Sequence, residues 1–112
     1  MTTSLYSGPN PAELTIDSRT DAAGVTLAIG GEIDLASAPA LERELQEAEG
    51  SQPRRIVLDL EDLEFIDSAG VHRLFQAFDR ATAMGHRLVL TRVPAHAERL
   101  FSLTGINTRL TH

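Results

Sequence analysis

The sequence predicts an α/β fold, a single domain on a mixed central β-sheet of about four or five strands with helices packed mainly on one face. Three observations lead there. Leu14 and Ile16 alternate with polar residues, the polar turn Thr20-Asp21-Ala22-Ala23-Gly24 follows, and Val25, Leu27 and Ile29 alternate again, which signals an N-terminal hairpin. Beyond it, short apolar runs alternate with stretches whose apolar residues recur at helical spacing, so each crossover helix returns the chain to a parallel neighbour. A length of 112 residues, 42% of them apolar, suits one compact core.

In chain order, residues 1–12 are rich in Ser, Thr, Gly and Pro (Ser7, Gly8, Pro9, Asn10, Pro11) and read as a flexible lead-in to a domain over 13–112. Structure is expected to begin near Glu13 with the hairpin. Ser37 is placed to cap the first helix, Pro39 is tolerated in its first turn, Ala38, Leu41, Leu45 and Ala48 share its inward face, and Gly50 ends it. Arg55 to Leu60 carries apolar residues on both faces, as a central strand buried on its two sides would. The run Leu63-Glu64-Phe65-Ile66 is again strand-like, then breaks at Asp67-Ser68-Ala69-Gly70 into a small polar turn. Val71, Leu74, Phe75, Phe78 and Ala81 follow at helical spacing, which predicts a helix from about Ser68, as its N-cap, to Met84, with Gly85 as C-cap. Arg87 to Thr91 is another buried-strand pattern. Pro94 opens a third helix with Ala97, Leu100 and Phe101 inward and Gly105 closing it, and Leu110 falls in a candidate edge strand. No internal repeat or linker interrupts the order.

Composition excludes several chemistries. Cysteine is absent, which removes disulfides, thiolate catalysis and cysteine metal sites. All ten basic residues are arginine, so neither a Schiff-base lysine nor the phosphate-binding lysine of a P-loop is present. Charge is uneven: residues 1–79 hold five Arg against fifteen Asp and Glu, net −10, and residues 80–112 hold five Arg against Glu98, net +4. The acidic part contains Ser68. An acidic surface repels nucleic-acid phosphates and suits a protein partner with a basic docking face. No apolar run approaches the roughly 20 residues of a membrane helix, and the N-terminus lacks the pattern of a secretory signal, so a cytoplasmic protein is expected.

A serine between strand and helix, with His72 one turn beyond and Asp67 adjacent, suggests a hydrolase, but Ile66 stands where a nucleophile elbow needs its first glycine, and an adjacent Asp points away from the histidine it would orient. No enzyme is expected. His72, His86, His96 and His112 form no H-x-x-x-H pair, so a metal site lacks support, although Glu32, Asp34, Asp59 and Asp67 would suit magnesium if they converged at the sheet edge. Capping and loop hydrogen bonding is the simpler role for Glu32 and Asp59. Gly30-Gly31 lacks any phosphate-loop context and reads as a bulge or turn, and no cofactor is implied. An N-cap serine, on local sequence alone, merely starts a helix.

Four landmarks in order alter that reading: Gly31-Glu32-Ile33-Asp34, the strand bearing Asp59, Asp67-Ser68-Ala69-Gly70, and Leu103-Thr104-Gly105-Ile106. Together they resemble the STAS domain family, specifically the bacterial anti-sigma factor antagonists, over most of the chain. The resemblance implies a single STAS domain that regulates transcription by partner switching. Its unphosphorylated form would bind an anti-sigma factor with serine kinase activity and free the sigma factor. Phosphorylation of Ser68 would switch it off, and a serine phosphatase would reactivate it. Asp34 and Asp67 would then lie beside the modified serine, with Glu32, Ala69, Gly70 and His72 completing the partner-binding set around Ser68. A monomer or weak dimer is expected, with no direct contact to nucleic acid or membrane. Many members continue into a further helix after the last strand, whereas this sequence stops at His112. The alternative is a STAS-type sensing or scaffold module that binds a small anion or nucleotide at the sheet edge.

Overall fold

The computed structural model describes residues 2–8 and 13–104. Within them the chain forms β1 (Thr2–Ser7), β2 (Thr15–Asp21), β3 (Gly24–Ile33), α1 (Ala38–Gly50), β4 (Arg55–Asp59), β5 (Leu63–Ile66), α2 (Ser68–Met84), β6 (Arg87–Thr91) and α3 (Ala95–Thr104). The strands make one six-stranded mixed sheet in the order β1-β2-β3-β4-β6, and β5 pairs with β3 off that path. β1, β2 and β3 run antiparallel, while β3–β4, β4–β6 and β3–β5 are parallel.

The hairpin forms where alternation placed it. Asp21 turns the chain by accepting the N–H groups of Ala23 and Gly24 at 2.8 and 3.2 Å. Gly24 has a φ of 143°, and a Cβ there would stand 2.1 Å from the Arg55 carbonyl oxygen, so the turn can lie against β4 only as glycine. Thr2–Ser7, which composition assigns to a flexible lead-in, is a strand instead, in register with β2 from Thr2↔Thr20 to Ser7↔Thr15. Thr-Thr-Ser-Leu-Tyr-Ser alternates too weakly to announce a strand, and the partner edge of β2 supplies the order.

One sheet face is the core face. Register places Val25, Ile56 and Leu88 side by side, then Leu27, Leu58 and Leu90, and all six are buried. Leu41 and Leu45 of α1, Val71, Leu74 and Phe78 of α2, and Ala97 and Phe101 of α3 join them in one cluster. The opposite row, Val57 and Asp59 of β4 with Val89 and Thr91 of β6, is half-buried. β4 is therefore buried on one side, not two. Its β-branched Val57 on the open face reflects strand preference rather than a second helical layer.

α2 runs over the predicted span, and Gly85 closes it in the left-handed conformation (φ 81°), its N–H donating to the Ala81 carbonyl at 2.9 Å. α1 buries its predicted face, Ala38, Leu41, Leu45 and Ala48, and ends at Gly50, although the left-handed residue that follows is Gln52 (φ 54°). Arg80 braces the two helices: its Nε reaches both Glu49 carboxylate oxygens at 2.8 and 3.0 Å, and its Nη1 reaches Glu42 at 2.6 Å. The Pro94 carbonyl accepts the first helical N–H groups of α3, from Ala97 and Glu98, and His96 Nε2 lies 2.9 Å from the Leu63 carbonyl, tying α3 to β5. Gly105, Ile106, Leu110 and His112 lie outside the described residues. Among the described residues no helix is long and apolar enough to cross a membrane.

Candidate functional site

The glycine pair at the end of β3 begins the site. Gly31 takes a φ of 79°, and the β3–β5 register shifts between Gly31 and Glu32, so the pair is a bulge, as its sequence context suggests. Beyond the bulge Glu32 pairs with Phe65 and Ile33 with Ile66. Asp34 and Asp67 are the next residues on these two parallel strands, and the Asp67 N–H donates to the Ile33 carbonyl at 3.0 Å. The strand ends thus bring the two aspartates side by side at the carboxyl edge of the sheet, where open α/β sheets gather functional groups.

Each aspartate starts a helix in its own way. Asp34 Oδ1 accepts the Ser37 N–H at 2.9 Å, and the Ser37 hydroxyl accepts the Asp34 N–H at 2.9 Å while donating to the Glu32 carbonyl at 3.0 Å. Ser37 is accordingly buried and does not cap α1 with its side chain, contrary to the cap expected from sequence. The Ser37 N–H is the largest influence holding the Asp34 carboxyl below its ordinary value, opposed by desolvation and helped by the Ser37 hydroxyl and the Ala36 N–H.

At α2 the cap is Asp67 rather than Ser68. Its Oδ1 accepts the N–H groups of Ala69 at 2.9 Å and Gly70 at 3.3 Å, and its extended backbone leads into the helix. Ser68 becomes the first helical residue, exposed, and its hydroxyl makes no hydrogen bond to any described residue. Sequence reasoning put the cap one position too late because Asp and Ser cap comparably well and stand next to each other.

Gly70 fixes where the hydroxyl stands. A Cβ on it would come within 2.6 Å of Ile33 Cγ2 and 2.8 Å of Ile66 Cγ1, so only glycine lets the first turn of α2 lie against the ends of β3 and β5. Its smallness serves this packing. Ala69 is half-buried, and His72, one turn after Ser68, is exposed without a hydrogen bond to it. Glu32 is half-exposed beside Phe65.

Asp59 does not join this group. It sits at the end of β4, accepts the Glu61 N–H at 3.2 Å and pairs with Arg92, which also bonds Glu61 at 2.9 Å. The Arg92 hydrogen bond is the chief reason its carboxyl titrates low. Arg92 was not singled out from sequence, since a lone arginine after a strand carries no signal of its partners. Among the described residues no group of three or more His, Asp or Glu side chains is arranged to hold a metal ion.

The STAS domain family model matches residues 13–111. The anti-sigma-F factor antagonist RsfB of Mycobacterium tuberculosis is 38% identical over 65 residues, which span 58% of this chain and 52% of that protein. The chain thus spans about half the length of that relative. The crystal structure of an anti-sigma factor antagonist from Mycobacterium paratuberculosis superposes with a TM-score of 0.78 at 25% identity, over 91% of this chain and 86% of that one. The fold is also that of the Bacillus anti-sigma factor antagonist SpoIIAA in its unphosphorylated form, with a TM-score of 0.73 at 19% identity and 83% of each chain covered.

Proposed function

The chain belongs to the STAS domain family, and we propose that it acts as a cytoplasmic anti-sigma factor antagonist, a monomer or weak dimer switched by phosphorylation of Ser68. The observation that carries this reading is the exposed Ser68 hydroxyl, which bonds no described residue because Asp67 performs the capping. The unmodified protein binds an anti-sigma factor that is also a serine kinase, through Ser68 with Glu32, Asp34, Asp67, Ala69, Gly70 and His72 around it, and the sigma factor is released. The kinase binds the ATP, and a serine phosphatase reverses the step.

Phosphorylation adds about −1.5 to −2 charges at a serine. A helix N-terminus normally absorbs an added anion through its free amides. Here the Ala69 and Gly70 amides already serve Asp67, so a phosphate on Ser68 faces outward with two carboxylates beside it. The fold survives, because no buried group moves. The docking face instead gains charge, bulk and a desolvation cost, and a partner fitted to the bare hydroxyl leaves.

The test is intact-mass analysis after incubation with candidate anti-sigma factor kinases and ATP, with the site mapped. One phosphate at Ser68, absent in Ser68→Ala, is expected. Ser68→Ala should still bind the unmodified partner, and Ser68→Asp should bind more weakly. An Asp variant that binds as tightly as wild type would sink the mechanism.

A further inference from the structure

Among the described residues five large apolar side chains stand exposed: Leu5, Leu35, Phe65, Met84 and Leu103. Two belong to the edge that carries Ser68. Leu35, 78% exposed, follows Asp34 directly, and Phe65, 46% exposed, pairs with Glu32 and lies just ahead of Ile66-Asp67-Ser68. Leu5 lies on the edge strand β1, with β2 between it and β3. Met84 ends α2, roughly 24 Å along the helix axis from Ser68.

Among the described residues, folding buries neither of the two. β5 carries the burial order buried, exposed, exposed, buried, so Phe65 leaves Leu63 and Ile66 to the core and turns its ring to water. Leu35 stands in the loop between β3 and α1, whose hydrogen bonds are made by Asp34 and Ser37 on either side of it. Holding a leucine and a phenylalanine in water forgoes the gain of burying them. Such a pair, flanked along the paired strand ends by Glu32, Asp34, Glu64 and Asp67, has the make-up of an interface with an apolar centre and a charged border.

The geometry points to Leu35 and Phe65 as the two apolar anchors by which this protein docks its partner, a protein surface offering apolar pockets within a basic border. The inference rests on the antagonist reading above and names the residues that supply its affinity. The division of labour is physical. The carboxylates steer a basic partner and act on the association rate, which salt screens, whereas buried apolar anchors act on the dissociation rate. Ser68 on the same edge is then a veto: a phosphate there holds the surfaces apart before either anchor can be buried.

The experiment measures association and dissociation rates with the kinase that phosphorylates Ser68 in the intact-mass assay. Leu35→Ser and Phe65→Ser are compared with Leu5→Ser and Met84→Ser, and the thermal midpoint of each is checked. The anchor variants should each weaken binding about tenfold or more, through faster dissociation, with unchanged melting, and the other two should bind as wild type. Anchor variants that bind as tightly as wild type, or a loss shared equally by all four, would overturn the inference and leave the antagonist function standing. Wild-type protein that binds no anti-sigma factor would overturn the function itself, and the anchors with it.

Discussion

At the start of α1, Asp34 and Ser37 exchange hydrogen bonds through each other's side chains and backbone N–H groups, and the serine is buried. At the start of α2, Asp67 alone takes the amides of Ala69 and Gly70, and Ser68 is exposed with its hydroxyl bonded to no described residue. Both starts follow the paired ends of β3 and β5, and both use an aspartate and a serine. Only the spacing differs. Three residues apart, the two side chains can satisfy each other; adjacent, one caps and the other is spare. A serine at a helix start is thus a structural staple or an accessible handle according to where its aspartate stands.

The harshest way to break the contrast is to displace α2. Gly70→Val would drive side-chain atoms into Ile33 and Ile66 at the strand ends. Overpacking of this kind should cost about 3 kcal/mol, read from urea denaturation. A variant as stable as wild type would mean that the helix start tolerates movement and that the position of Ser68 is not fixed by packing.

The two serines themselves give the sharpest comparison. Ser37→Ala removes the partner of the Asp34 N–H and of the Glu32 carbonyl in a buried setting, and should cost about 2 kcal/mol. Ser68→Ala removes a hydroxyl bonded to nothing described, and should change stability by no more than about 0.5 kcal/mol. Equal losses in a denaturant titration would erase the distinction between staple and handle. Between them lies Asp67→Ala, which strips α2 of its cap and should cost about 1 kcal/mol, with Asp67→Asn recovering most of it because an amide oxygen also accepts from the first turn.

Much of this was legible in the residues. Helical spacing fixed α2 from Ser68 with Gly85 at its end, and alternation fixed the β2–β3 hairpin, because both patterns report a single buried face. The mixed α/β sheet followed from their order. β1 was missed because pairing with β2, rather than its own pattern, makes it a strand. β5 was visible as an apolar run but not as a separate partner of β3, since the Gly31 bulge that turns β3 toward it leaves only two glycines in the sequence. Of the site, Ser68, Asp34 and Asp67 were marked, yet the assignment of cap and handle depended on a choice between neighbours of similar propensity. Gly70 reads in the sequence only as a small turn residue, because close approach to Ile33 and Ile66 is a tertiary fact that no local pattern encodes.

The smallest effect concerns acid. The Asp34 carboxyl titrates below its reference value of 3.8, chiefly because the folded protein holds the Ser37 N–H against it, and the unfolded chain does not. Between the lowered and the ordinary value the unfolded state binds more protons, so stability rises with pH there. The contribution is fully present above the ordinary carboxylate range and is lost as pH falls through the lowered value. Asp34→Asn keeps an accepting oxygen but cannot ionise. The gap in urea midpoint between wild type and Asp34→Asn should therefore hold steady from neutrality down to about pH 5 and narrow below about pH 4. Ser68→Ala, compared in the same way, should run parallel to wild type throughout, because its hydroxyl takes no part in holding Asp34. A gap for Asp34→Asn that stays constant into strong acid would show that the α1 staple works through its shape and not through its charge.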